Sequence, residues 1–333
     1  MAKEIAEIPA VISRQLAAID VYLEAGRMLK RDRACGIITC ARGTSDHAAT
    51  YFKYLMETQV GIPVASIGPS VASIYDAPLQ LDGFFCLSFS QSGGSPDLAL
   101  LQRTAKEGGA KTIAILNATE NPVGIDADHI LPILAGPEKA IAATKSFVGM
   151  LVVSLGLVAG YLGDTNITDA LVELPDLTRE SLACDWSAAM TLAQNSSVFC
   201  VGRGLNMAIA AEAALKLKET CRLHAEAYSA AELLHGPVAI AGKTLGGLIF
   251  GSQGVAGNTI TNAFERLRDD GAHVHLAGSM QGSSVLPVPA TENDILEPVL
   301  QAVAFYRFVE GLSTATGNNP DAPAGLQKVT ETV

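Results

Sequence analysis

Basic residues are scarce in this chain: 23 Lys and Arg stand against 34 Asp and Glu, for a net charge of −11. No long run of Lys and Arg occurs anywhere. Phosphate backbones need clustered cations, so nucleic acid is excluded as a partner. Aromatic residues are scarce too, at 5% of a chain that is 49% hydrophobic. The core must then be built from Ala, Val, Ile and Leu, the usual filling of parallel α/β sheets. Cys35, Cys40, Cys86, Cys184, Cys200 and Cys221 include no Cys-x-x-Cys pair and no ligand-like grouping with His. Neither a disulfide nor a metal site is expected, and the thiols read as reduced and mostly buried. The longest apolar stretch, Phe147 to Leu162, holds Gly149, Gly156 and Gly160 and is short for a membrane span. At the N-terminus, Lys3, Glu4 and Glu7 interrupt what a signal peptide would need. The expectation is a cytoplasmic protein without membrane contact.

What the chain does contain is an internal repeat. The apolar run Cys35–Cys40 leads into Ala41-Arg42-Gly43-Thr44-Ser45 and a helical stretch to about Gln59. Val198–Val201 leads likewise into Gly202-Arg203-Gly204 and a helical stretch to about Cys221. The two arginines are 161 residues apart, as are Phe89 and Phe250 at the ends of two further apolar runs. Gly109-Ala110 and Gly271-Ala272 repeat at 162. Each half reads as strand, glycine-containing turn, helix, several times over, which implies a parallel sheet with crossover helices.

The expected fold is therefore α/β: two similar units, each a parallel sheet flanked by helices. Residues 1–30 are a helical lead-in, 31–165 the first unit, 180–325 the second, and 326–333 a tail carrying Lys328. A long helix at about Ala140–Leu162 and the segment Asp164–Arg179 separate the halves, and a leading helix opens the second at about Arg179–Gln194.

Ser90-Gln91-Ser92-Gly93-Gly94-Ser95 follows an apolar strand and precedes a helix opening at Pro96-Asp97. Its glycines permit close backbone approach, and its hydroxyls, the Gln91 amide and free helix N–H groups can surround an oxyanion. Thr44-Ser45-Asp46 supplies a second cluster at the first strand-to-helix turn. Serine-rich N-capping turns of this composition also occur in many α/β proteins without a ligand. Neither a Walker loop nor a GxGxxG turn is present, so a nucleotide is not indicated.

The stretch Asn206–Cys221 is apolar nearly all round, yet Glu212, Lys216 and Glu219 fall on one stripe at i, i+4 and i, i+3. An exposed stripe would be ordinary salt-bridging. On so apolar a helix it should line an enclosed place, where a carboxylate beside a lysine can transfer protons. His235 sits where Gly236-Pro237 breaks a helix, which exposes its ring at a turn.

Several motifs then form a recognisable set: Ala213-Ala214-Leu215-Lys216-Leu217-Lys218-Glu219, His224-Ala225-Glu226-Ala227-Tyr228, Glu232-Leu233-Leu234-His235-Gly236-Pro237, Ser90-Gln91-Ser92-Gly93 and Thr144-Lys145-Ser146-Phe147. From about residue 35 onward the chain resembles the tandem sugar isomerase (SIS) domain family of phosphosugar isomerases and deaminases. Within it, the likeness is to the isomerase half of glutamine–fructose-6-phosphate aminotransferase. The resemblance implies that Thr44, Ser45, Ser90, Gln91, Ser92 and Ser95 hold a sugar phosphate. It implies that Glu219 moves a proton between C1 and C2, with Lys216 assisting. His235, from the neighbouring subunit of a homodimer, would open the sugar ring, and Lys328 would engage the open-chain carbonyl. Gly94, Ser95 and Ala143 depart from the synthase, which has Glu, Thr and Ser there. The synthase's glutaminase domain has no counterpart in these 333 residues, so a glutamine-independent enzyme is expected.

The expected reaction is glucosamine 6-phosphate plus water giving fructose 6-phosphate plus ammonia, without metal or organic cofactor. A fructosamine-phosphate deglycase and a plain aldose–ketose isomerase share the same residues. A sugar-phosphate-sensing regulator is the non-enzymatic alternative.

Overall fold

A computed structural model describes residues 1–251, 254–279 and 284–328. The strands are β1 (Gly36–Cys40), β2 (Val64–Ser66), β3 (Phe84–Ser90), β4 (Lys111–Leu116), β5 (His129–Pro132), β6 (Ser197–Gly202), β7 (Ala225–Ser229), β8 (Leu245–Phe250), β9 (His273–Gly278) and β10 (Val285–Pro287). They form two five-stranded sheets, ordered β2-β1-β3-β4-β5 and β7-β6-β8-β9-β10, and every pairing is parallel. Renumbered within each half, both orders are 2-1-3-4-5, so the internal repeat is a repeat of topology. The expected α/β fold of two tandem units is what forms.

The chain divides into two compact units. Among the described residues, the first comprises Ala10–Glu138, Lys145–Val172 and Gln327–Lys328; the second comprises Met1–Pro9, Lys139–Thr144 and Glu173–Leu326. The same core is built in each. In the first, Ile38, Cys86 and Ala114 from the sheet meet Leu98, Leu101 and Ala105 from the helix Pro96–Glu107. In the second, Val201, Ile249 and Leu276 meet Ile260, Ala263 and Leu267 from the helix Gly257–Asp269. Aliphatic side chains make up most of both, with buried Phe199 added in the second. All six cysteines are free. Burial pushes the Cys86 and Cys200 thiols up to about 12 and Cys221 to about 11, so these groups act as small apolar fillers.

The helix Lys145–Leu162 is buried from Lys145 through Gly160. It is the one helix among the described residues long and apolar enough to cross a bilayer, and it is enclosed within its unit instead. Close approach to the helix Ile19–Arg31 explains two glycines. A Cβ at Gly160 would stand 2.1 Å from the Leu23 carbonyl oxygen, and one at Gly26 would stand 2.0 Å from that of Leu157.

Two expected boundaries move. The helix predicted from Ala140 starts at Lys145, because the Glu4 carboxylate takes the backbone N–H groups of Lys139 and Ala140. The buried Glu138 carboxylate then accepts from the Ser146 N–H at 3.2 Å and from its hydroxyl at 2.5 Å, which serves the first turn. The segment that separates the halves is helical from Thr165, as part of the helix Thr165–Ala183 with Pro175 accommodated inside it, and the division between the units falls after Val172. The leading helix predicted at Arg179–Gln194 is split between that helix and a 3₁₀ helix, Ser187–Gln194. Asp185 causes the break by accepting from the Ser187 N–H at 2.8 Å.

Candidate functional site

In the first unit β1 is flanked by β2 on one side and β3 on the other, so the direction in which successive strands are added across the sheet reverses between β1 and β3. Open parallel sheets bind ligands at the carboxyl ends of the strands at such a switch point. Cys40 pairs with Ser88 in register, so the loops that leave β1 and β3 emerge side by side. These are the loops picked out by sequence: Thr44 and Ser45 open the helix Thr44–Leu55, and Ser90 through Ser95 connect β3 to the helix Pro96–Glu107. Ion pairing fastens the two together, since the Arg42 guanidinium donates to the buried Asp97 carboxylate at 2.6 and 3.1 Å. Nothing in the sequence linked Arg42 to Asp97; the pair becomes visible only once β1 and β3 are neighbours.

Within the loop the Ser90 hydroxyl oxygen accepts from the Gly93 N–H at 2.9 Å, and the Ser92 oxygen accepts from the Gly94 N–H at 3.3 Å. Each hydroxyl proton stays available to an oxyanion. Ser95 precedes Pro96 and makes no capping bond through its side chain, so its hydroxyl is also available. Gly93 has φ +63, and a Cβ there would lie 2.2 Å from the Asn121 side chain. Asn121 is pinned in turn, because its carbonyl oxygen accepts from the Gly124 N–H at 2.9 Å and its amide donates to the Ala118 carbonyl. Asn121 is therefore a supporting residue that sequence reasoning missed. Beside Thr44 and Ser45, burial pushes the Asp46 carboxyl up, an effect partly offset by His47 and Arg42.

In the second unit the helix Asn206–Cys221 carries the charged stripe as spaced. Lys216 is fully buried, with its ammonium 2.6 Å from Glu219 and 3.3 Å from Glu212. Burial by itself would lower the Lys216 pKa, but Glu212 and Glu219 outweigh it and hold the ammonium above its ordinary range. Glu212 is buried and accepts from the Tyr306 hydroxyl at 2.8 Å, whereas the Glu219 side chain retains 23% exposure. The arrangement is a carboxylate at a solvent edge, oriented by a permanently charged lysine behind it, which suits proton transfer. Tyr306 was not foreseen, because it joins the stripe across 94 residues of sequence. Lys218 points away and is exposed.

His235 caps the short helix Ala230–Leu234 and is exposed just before the 3₁₀ helix Pro237–Ile240. Exposed Leu234 and Ile240 flank it, at 41% and 64%. Lys328 lies in the first unit, where its ammonium stands 4.0 Å from the buried Glu138 carboxylate. The tail after it, from Val329, lies outside the described residues. The structure thus groups Thr44, Ser45, Ser90, Gln91, Ser92 and Ser95 at one sheet end, and Lys216 with Glu219 on one helix.

Comparison with known proteins follows the same lines. The SIS domain family matches residues 32–159 and 191–287. A glutamine–fructose-6-phosphate aminotransferase (isomerizing) of Methanothermobacter thermautotrophicus is 32% identical over 98% of this chain and 56% of its own length. That of Symbiobacterium thermophilum is 33% identical over 89% of this chain and 51% of its own. The chain spans about half the length of the curated relatives it matches. Among solved structures, a protein of Silicibacter pomeroyi assigned provisionally as a phosphosugar isomerase is 36% identical, with a TM-score of 0.89 over 96% of this chain and 98% of that one. The C-terminal domain of a glucosamine-fructose-6-phosphate aminotransferase from Francisella tularensis is 25% identical, with a TM-score of 0.86 over 97% and 98%.

Proposed function

The chain belongs to the SIS domain family, and from that premise we propose that it is a phosphosugar isomerase-type deaminase acting on glucosamine 6-phosphate. Ser90, Gln91, Ser92 and Ser95, with Thr44 and Ser45, hold the phosphate by hydroxyl, amide and helix N-terminal donors. His235, contributed by a second copy in a homodimer, opens the sugar ring. Glu219 takes the proton from C2 and returns it to C1, which converts the open-chain amino aldose into an imine at C2. Water adds to that imine and ammonia leaves, giving fructose 6-phosphate. Lys216 keeps Glu219 oriented, and Lys328 engages the open-chain carbonyl. No metal or organic cofactor takes part in these steps.

The observation that carries the reading is the Glu219 carboxylate, held at 2.6 Å by a fully buried lysine yet still partly exposed.

The test is a coupled assay for ammonia and fructose 6-phosphate with glucosamine 6-phosphate as substrate. The wild type should release both in equal amounts, and Glu219→Gln should lower kcat at least a hundredfold, the lower range of general-base contributions of about 10²–10⁴. Absence of ammonia from the wild type, or full turnover in Glu219→Gln, would overturn the assignment. Plain aldose–ketose isomerisation is the second reading, favoured by the likeness to the Silicibacter pomeroyi protein. It predicts exchange of the C2 proton of a hexose 6-phosphate with solvent deuterium and no ammonia.

A further inference from the structure

β9 carries His273 and His275 at alternate positions, while Val274 and Leu276 between and beyond them fill the second unit's core. Alternation along a strand puts the two imidazoles together on the opposite face. There they meet the 3₁₀ helix Ser187–Gln194 across a cavity of about 360 Å³. Its polar lining is Thr191, Gln194, Arg268, His273, His275 and Ser284. Among the described residues no Asp or Glu lines it, although the chain as a whole carries a net charge of −11.

Neighbouring groups decide where the ring protons sit. The Thr191 hydroxyl donates to the Ala188 carbonyl at 3.1 Å, so its oxygen can only accept from His275 Nε2, 3.3 Å away. His275 Nε2 therefore carries a proton, and its buried Nδ1 has no hydrogen-bond partner. Burial, and secondly His273, hold its pKa below the usual imidazole value. The Asn195 amide nitrogen stands 3.2 Å from His273 Nδ1 and donates to it, which places the His273 proton on Nε2. That ring is exposed, so the Nε2–H is accessible to an acceptor from solution. Arg268 pairs with Asp269 at 3.1 Å, but both side chains are more than half exposed, and a competing anion readily displaces such a pair.

We infer that this cavity is a binding site for a small phosphate-class oxyanion, held by the Arg268 guanidinium and the His273 Nε2–H with Gln194 and Ser284 as neutral donors. An oxyanion supplies an acceptor for the His273 Nε2–H and competes with the exposed Asp269 carboxylate for Arg268, and charge-assisted bonds from Arg and His are the strong kind. A metal cation is disfavoured there, because the same lining presents a guanidinium. All of these residues belong to the second unit, whereas the serine loops belong to the first.

The test follows the imidazole C–H proton resonances of His273 and His275 in the full chain during titration with inorganic phosphate, and separately with fructose 6-phosphate. A saturable shift of the His273 signal with either probe is expected. The tighter of the two distinguishes free from esterified phosphate. Arg268→Gln, a change at an exposed side chain, should weaken the response at least tenfold, and so should His273→Gln when His275 is observed. Ser90→Ala should leave both responses unchanged, so a failure of the proposed enzymatic site does not register here. No saturable shift with either probe, or an undiminished response in Arg268→Gln, would overturn the inference.

Discussion

At the scale of single residues, the decisive group is Lys216, a fully buried ammonium between two carboxylates. Removing one partner from a buried ion pair leaves the others desolvated and uncompensated, at a cost of about 3–5 kcal/mol. Lys216→Met, of similar volume, should lose stability on that scale in a denaturant titration, since Glu212 would remain buried without its cation. A loss below about 1 kcal/mol would show that the pair contributes little. The pH dependence has a definite sign. The folded pKa of Lys216 is raised above its ordinary value of 10.5. Its stabilisation is therefore complete below that value and fades as pH climbs through the higher folded one. The melting-temperature gap between wild type and Lys216→Met should stay level through neutral pH and narrow on the alkaline side as Lys216 loses its proton. Spacing alone made this trio legible, because i, i+3 and i, i+4 neighbours meet on any helix. The Tyr306 hydroxyl that completes it was not legible, as no local rule links residues so distant in sequence. Arg42 and Asp97 were hidden for the same reason.

At the scale of elements, the strands were legible because each is a short apolar run closed by a glycine-bearing turn, and because the chain states the pattern twice. Helix starts were less so. Nothing near Ala140 in sequence announces that Glu4 will take its N–H, and that long-range bond delays the helix to Lys145. Glycines inside helices show how context sets the sign of a substitution. Gly160 lies where the helix Lys145–Leu162 touches the Leu23 backbone, so an added methyl has nowhere to go. Gly160→Ala should destabilise by about 1–3 kcal/mol, the usual cost of overpacking. Gly311 lies inside the helix Glu297–Ala315 with nothing within 4 Å of a Cβ. Gly311→Ala should instead stabilise by about 0.5–1 kcal/mol through helix propensity. Thermal melts of the two variants check both signs at once, and equal shifts would refute the packing argument.

At the scale of the whole molecule, both halves share one topology but carry different polar side chains. The first half holds the serine loops, and the second holds Glu219, Lys216 and His235. His235 is the residue whose role depends most on assembly. It is exposed at a helix end, between two exposed aliphatic side chains, Leu234 and Ile240. Apolar groups beside a polar one at a turn suit burial against a partner copy. If His235 serves the Glu219 of a second copy, two inactive variants should rescue one another. In a mixed dimer of Glu219→Gln and His235→Ala, one site receives both lesions and the other receives neither. Deaminase activity should therefore reappear when the variants are unfolded and refolded together, or co-expressed, and stay absent when each is refolded alone. If both residues serve a site within one chain, every site in the mixture keeps one lesion and no activity returns. Size-exclusion chromatography of the mixture shows whether dimers formed. A dimeric mixture without activity would then refute the exchange of His235 between subunits while leaving the proton-transfer role of Glu219 intact.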